Sequence, residues 1–163
     1  MPPFQNFTTK AKEAIRRAHE LAIERGQNHV NSNHLLSALL MQEESLVISM
    51  LDKMDVDTAL LIDTVIDTIE LPDAGTTVAP SYQIFLTPDL AQAIEHSAKI
   101  AQAMKDEFVS TEHLFLALLE VPSEAREILA KFRIYKDQIL KLITEFKNQN
   151  TGEMEVPKKL RLL

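Results

Sequence analysis

Five histidines and 24 acidic side chains are the groups in this 163-residue chain that can move protons or ligate a metal. Helical di-iron sites use Glu-x-x-His pairs that project into a bundle. The residues three places before each histidine are Arg16, Gly26, Asn31, Ala93 and Ser110, and none is acidic. His-Glu-x-x-His is also missing, so the ligand spacing of a dedicated metal site does not occur and no metal is expected. Cysteine is absent, which excludes thiolate catalysis, disulfides and cysteine-bound zinc. A nucleophilic serine in a G-x-S-x-G turn is missing too. The three glycines, Gly26, Gly75 and Gly152, form neither a phosphate-cradling P-loop nor a dinucleotide fingerprint. No cofactor is expected, and the chain reads as non-catalytic, without machinery to hydrolyse ATP. The acids Asp52, Asp55, Asp57, Asp63 and Asp67, with Glu43 and Glu44, read as solvated helix faces that make one side negative.

What remains is chemistry of recognition. Asn31-Ser32-Asn33-His34 and Ser110-Thr111-Glu112-His113 stand at equivalent places in two alignable stretches. His34 and His113 have two readings. Each imidazole packs and hydrogen-bonds a neighbouring loop as part of a shared frame, or both line a groove with its ligand at the helix N-termini. Glu112 has two readings as well. It is a first-turn acid stabilised by the helix dipole, or an acceptor offered to a guanidinium or ammonium group, with the hydroxyls and backbone N–H groups nearby holding an anion.

The elements that position these residues come from a duplication. Residues 7–40 align without a gap onto 86–119, and ten of the 34 pairs are identical, His34/His113 and Ala38-Leu39-Leu40/Ala117-Leu118-Leu119 among them. After one dropped residue, Met50-Leu51 falls on Ile128-Leu129. Each copy reads as four helices, so the fold class is all-α with eight helices in a duplicated four-helix repeat. Ala11, Ile15, Ala18 and Ala22 mark the first helix, with Thr8 as its cap. Leu90, Ile94, Ala101 and Met104 mark its counterpart, where the capping Thr87 precedes Pro88. Asn31 and Ser110 cap the second helices, whose runs HLLSALLM and HLFLALLE are apolar nearly all round and belong in the core. Short third helices are expected near 46–53 and 123–131, after Ser45 and Ser123, and fourth helices near 58–70 and 137–147. No stretch alternates with period two, so no sheet is expected. The repeats span about 7–70 and 87–148, with a Pro- and Gly-bearing loop over 71–86. Residues 149–163 lose periodicity and read as the start of a linker in something longer.

Composition fits a globular chain, with 45% hydrophobic and 25% charged residues. The net charge of −7 opposes nucleic acid unless Lys10, Lys12, Arg16 and Arg17, or Lys158, Lys159 and Arg161, form a patch. No nucleic-acid partner is expected. The start, MPPFQNFTTKAKEAI, lacks the pattern of a secretory signal. LLSALLM is far shorter than the roughly 20 residues of a membrane span, so the chain is expected in the cytoplasm with no membrane partner.

F-T-T-K-A-K-E-A-I at 7–15, the ERGQNHV end of the first helix, and STEHLFLALLE at 110–120 resemble the duplicated N-terminal domain of Clp AAA+ unfoldases. The likeness covers residues 4 to about 148. The LP…APS connection is similar to the disaggregase branch, ClpB, and S-T-E-H to the protease-partnered branch, ClpC. The resemblance implies a pseudo-twofold bundle tethered ahead of ATPase rings, which receives unfolded or marked protein substrates and adaptor proteins. A free-standing accessory protein that serves a Clp partner in trans is the alternative. In the ClpC-like branch the Glu of Thr-Glu-His takes part in recognising phosphoarginine, and Thr111, Glu112 and His113 match it. Repeat 1 departs with Asn33 beside His34, and a neutral amide gives no equivalent charge-assisted bond. In the ClpB-like branch the capping threonine lies in a groove that contacts unfolded segments, and Thr8 matches it, with Thr87 in the second copy. Apolar grooves between the two copies are expected to take hydrophobic segments.

Overall fold

Helix starts in this chain are fixed by short polar side chains that satisfy otherwise orphaned backbone N–H groups. In the computed structural model, which describes residues 6–70 and 85–149, Thr8 Oγ1 accepts from Ala11 N at 3.2 Å and opens α1, Thr9–Glu24. Asn31 accepts from Asn33 N and His34 N ahead of α2, Ser32–Leu40. Ser45 caps α3, Leu46–Lys53, and Asp57 accepts from Leu60 N at the start of α4, Thr58–Glu70. The second repeat follows suit. Thr87 caps α5, Pro88–Ala103; Ser110 precedes α6, Thr111–Glu120; Ser123 caps α7, Glu124–Lys131; α8 is Lys136–Gln149. The described residues thus hold eight helices, four per repeat.

The ends of the helices repeat as well. Gly26 and Lys105, 79 residues apart, both take positive φ (68° and 62°) in the turn after the first helix of their repeat. Asp55 and Arg133 do the same after the third helices, at 58° and 59°. Only one of these four left-handed positions carries the residue that adopts the conformation at no steric cost.

Every residue of α2 is buried, as is α6 from Thr111 to Leu119, so the two apolar runs form the centre. They touch each other, and each is flanked by helices of both repeats. The contacts are reciprocal: α2 meets α5 and α7, α6 meets α1 and α3, and the fourth helices α4 and α8 meet α7 and α3. Lys53 on α3 lies over the Phe146 ring of α8, 5.5 Å from its centre. The two repeats therefore share one core, filled by Phe115, Leu35, Leu36, Leu39, Met50, Leu51, Leu61 and Leu114. Burying each large apolar side chain contributes about 1.5–3 kcal/mol.

The expectation of no sheet requires a correction. β1, His29–Val30, pairs in parallel with β2, Phe85–Leu86, and Phe7 forms the matching parallel bridge to Val109. Thr87 N donates to Val30 O at 2.9 Å, and Thr8 N donates to Val109 O at 2.9 Å. The entry strand of each repeat is thus hydrogen-bonded to the loop before the second helix of the other repeat. Two-residue ladders carry no period-two pattern, which is why they are silent in the sequence. The same pairing corrects the expected loop over 71–86 at its last two residues, which belong to β2. Residues 71–84 and the expected linker beyond 149 lie outside the described residues.

Candidate functional site

The two N-terminal motifs of the central helices build a frame around their histidines. Asn31 N donates to His34 Nδ1 at 3.0 Å, and Ser110 N donates to His113 Nδ1 at 2.9 Å. Each ring thereby reaches back to cap its own helix, the role that Glu or Gln plays in an ordinary capping box. With Nδ1 accepting, Nε2–H is left to donate. It meets Gln27 Oε1 at 2.7 Å in repeat 1 and Asp106 Oδ2 at 2.7 Å in repeat 2. Gln27 and Asp106 are themselves equivalent positions, and each also ties down the fourth helix of its repeat. Gln27 Nε2 donates to Ile69 O at 3.2 Å, whereas Lys147 Nζ donates to Asp106 at 2.8 and 3.1 Å.

The latch is therefore neutral in one repeat and ionic in the other. Burial, reinforced by the Arg25 and His19 charges, lowers His34 from 6.5 to about 4. Desolvation pushes Asp106 upward, but hydrogen bonds from His113 and Lys147 prevail and hold it below its usual value.

The sequence candidates are mostly inside. Thr8, Asn33, His34, Thr111, Glu112 and His113 are all at most 3% exposed, and Thr87 is half-buried. Asn33 spans the repeats, donating to Thr68 Oγ1 at 3.0 Å and to Glu124 Oε1 at 2.7 Å. Asn33 Oδ1 and, at the equivalent place, Glu112 Oε1 have no hydrogen-bond partner. Thr8 and Thr87 stand at the two pairing sites between repeats, away from the motifs of their own repeat. Burial rather than a solvated first turn is the unexpected feature of Glu112.

The basic cluster on α1 is interleaved with the acids Glu13, Glu20, Glu43 and Glu44. Arg17 pairs with Glu20 at 3.4 Å and Glu24 at 2.8 Å, and the Lys10 ammonium donates to the backbone carbonyls of Glu43 and Glu44. A polar cleft of about 360 Å³ lies over these residues, too mixed in charge for a phosphate backbone. The tail Lys158, Lys159 and Arg161 lies outside the described residues. Among the described residues, no group of acids and histidines is arranged to hold a metal, and no helix is long and apolar enough to cross a membrane.

An open apolar groove lies elsewhere than expected. It occupies about 390 Å³ between α5, α6 and α8, within repeat 2. Ile100, Ala103, Met104, Leu116 and Leu140 form its floor, and His96, Lys99, Glu120 and Lys136 its rim. Glu120 accepts from His96 Nε2 at 3.0 Å and from Lys136 Nζ at 2.7 Å. Desolvation raises the Glu120 carboxyl, yet these two bonds outweigh it and keep Glu120 below its ordinary value. The equivalent face of repeat 1 carries Glu24, Arg25 and Ser37 in place of Ala103, Met104 and Leu116. There Arg17, Glu24, Arg25 and Glu70 are linked by ion pairs, which cover the apolar surface with charge. In repeat 2 the apolar residues at these positions line an open groove.

Comparison with known proteins places this geometry. The model of the Clp repeat (R) N-terminal domain matches residues 6–132. The chaperone protein ClpB of Bacillus anthracis is 32% identical over 145 residues, which is 88% of this chain and 17% of that protein. ClpB of Propionibacterium freudenreichii subsp. shermanii is 37% identical over 128 residues, 77% of this chain and 14% of that one. The chain thus spans about a sixth of the length of such relatives. Among solved structures, the Hsp104 N-terminal domain from Candida albicans superimposes with a TM-score of 0.74 at 21% identity, covering 93% of this chain and 95% of that one. The N-domain of ClpV from Vibrio cholerae gives 0.71 at 18% identity, covering 87% and 85%. A ClpV N-domain in complex with a VipB peptide gives 0.63 at 20% identity, covering 83% of each chain.

Proposed function

The chain belongs to the Clp repeat N-terminal domain family, and from that membership we propose that it is a docking module that captures apolar segments of other proteins in the groove between α5, α6 and α8. The open floor of Ile100, Ala103, Met104, Leu116 and Leu140 is the observation that carries the reading. A side chain seated there leaves water for an apolar surface without displacing any ion pair, whereas the matching face of repeat 1 would have to break several. The ClpV N-domain that holds a VipB peptide supports peptide capture as a use of this architecture.

The partners are unfolded or marked substrates and adaptor proteins. The module serves an AAA+ ATPase ring joined in cis or supplied in trans, in the cytoplasm, and carries no catalysis of its own. Each contact is weak, and several modules on one ring raise the overall affinity through effective concentration. The buried candidates enter the proposal in two roles. Glu112, whose Oε1 lacks a partner, offers a carboxylate to a guanidinium such as that of phosphoarginine when the N-terminus of α6 opens. Thr8, Thr87, Thr111, His113, Asn33 and His34 act through the frame that holds α1, α2, α5 and α6 in place.

The test copies repeat 1 into repeat 2. Ala103 is exposed and Met104 is half-buried against the core, so Ala103→Glu with Met104→Arg introduces the charged pair at the edge of the core, where the arginine stem can keep covering the apolar surface. Peptide affinity, read by fluorescence anisotropy, should fall about tenfold or more while the melting temperature holds, since one lost apolar contact of about 1.4 kcal/mol is a factor of ten. Unchanged affinity places the docking surface elsewhere.

A further inference from the structure

The rim of the groove has a sign. Lys99 is exposed and has no ion-pair partner among the described residues. His96, one turn before Lys99 on α5, and Lys136 at the start of α8 share the single rim carboxylate, Glu120. Two ammonium groups against one carboxylate leave a net positive rim on a chain whose total charge is −7. The contrast with repeat 1 is direct. Its counterparts to His96, Lys99 and Lys136 are Arg17, Glu20 and Thr58, and Arg17 is already consumed by Glu20 and Glu24.

From this charge complementarity we infer that the groove selects apolar protein segments that carry an acidic side chain beside the buried residue, and rejects segments flanked by lysine or arginine. The inference rests on the docking reading above and adds a selection rule to it. The apolar floor supplies affinity and tolerates many side chains of similar size, because dispersion and burial are not directional. The rim supplies discrimination, since a cation brought beside Lys99 and Lys136 meets like charge as it loses solvent. Glu120 does not undo this, because its two oxygens are already occupied by His96 and Lys136. An acid in the segment instead finds the Lys99 ammonium unclaimed.

The experiment uses three labelled peptides with one Leu- and Phe-bearing core, flanked by glutamates, glutamines or lysines. They are titrated into the full chain at low and high salt. The glutamate-flanked peptide should bind about threefold to tenfold tighter than the glutamine one at low salt, the range expected for one or two exposed ion pairs. The lysine-flanked peptide should bind more weakly than both, and the spread should shrink at about 1 M salt. Lys99→Glu, an exposed change, should reverse the order of the flanked peptides. Equal binding of all three, or preference for lysine, overturns the selection rule and leaves the docking reading intact. Binding of none of them refutes the docking reading itself.

Discussion

Replacing His34 by Gln probes the frame at its most informative point. His34 is 1% exposed and accepts from Asn31 N through Nδ1. A proton on that nitrogen would confront the Asn31 N–H donor, and the extra charge would be buried beside Arg25 and His19. The folded chain holds His34 at about 4, against 6.5 when exposed. The unfolded chain therefore binds more protons between these values, and stability rises with pH across that window. The stability is fully present above pH 6.5, declines as pH falls, and the loss is complete once pH passes below about 4. At about 1.4 kcal/mol per pH unit, the change across the window is about 3 kcal/mol. Glutamine at the same position retains an acceptor for the N-cap amide, as in a standard capping box, but does not titrate. Urea unfolding of both proteins at a series of pH values gives the test. The other histidines occur in both proteins and cancel in the difference. The wild-type free energy should fall by about 3 kcal/mol more than that of His34→Gln between neutral pH and pH 4. Parallel pH profiles would refute the claim that a buried neutral imidazole caps α2.

Other changes test other parts of the account. Asp106→Asn removes the ionic latch. The depressed Asp106 carboxyl contributes stability that is present above its unfolded value and lost as pH falls through the carboxylate range. The variant should therefore lose about 1–2 kcal/mol at neutral pH and converge on wild type in acid, as read by denaturant unfolding. Lys105→Gly relieves a side chain held at φ 62° and should stabilise the fold by about 1 kcal/mol, seen as a higher melting temperature. Phe115→Ala empties a fully buried site and should cost about 3–5 kcal/mol. Thr8→Ala removes the cap of α1 and should cost about 1 kcal/mol.

The helices and their caps were legible because they obey local rules. Thr8, Asn31, Ser45, Thr87 and Ser123 each precede an apolar stripe of helical period, and each caps the expected helix. The central position of α2 and α6 followed from runs too apolar to face water. The pairing of β1 with β2 was not legible, since two residues make no pattern and the partner lies 56 positions away, from His29 to Phe85. The turns at Lys105 and Arg133 were hidden for another reason. Of the five left-handed positions among the described residues, Gly26, Glu44, Asp55, Lys105 and Arg133, only the glycine announces itself by residue type. The candidate motifs were found by repeat alignment, but their depth was not. An acid in a first helical turn usually faces solvent, and Glu112 is enclosed because α6 begins inside the core. The groove is formed by residues from three helices, and its openness depends on what Ala103 and Met104 fail to cover. Their counterparts Glu24 and Arg25 were visible in the sequence, yet without the packing nothing indicated that this face was the outward one.

Titrating the isotope-labelled chain with an apolar, glutamate-flanked peptide and following amide resonances by NMR addresses the docking claim at the level of residues. The shifts should concentrate at Ile100, Ala103, Met104, Leu116 and Leu140, and leave the Val30–Leu86 and Phe7–Val109 pairings unmoved. Shifts confined to those pairings, with the α5–α6–α8 face silent, would contradict the account.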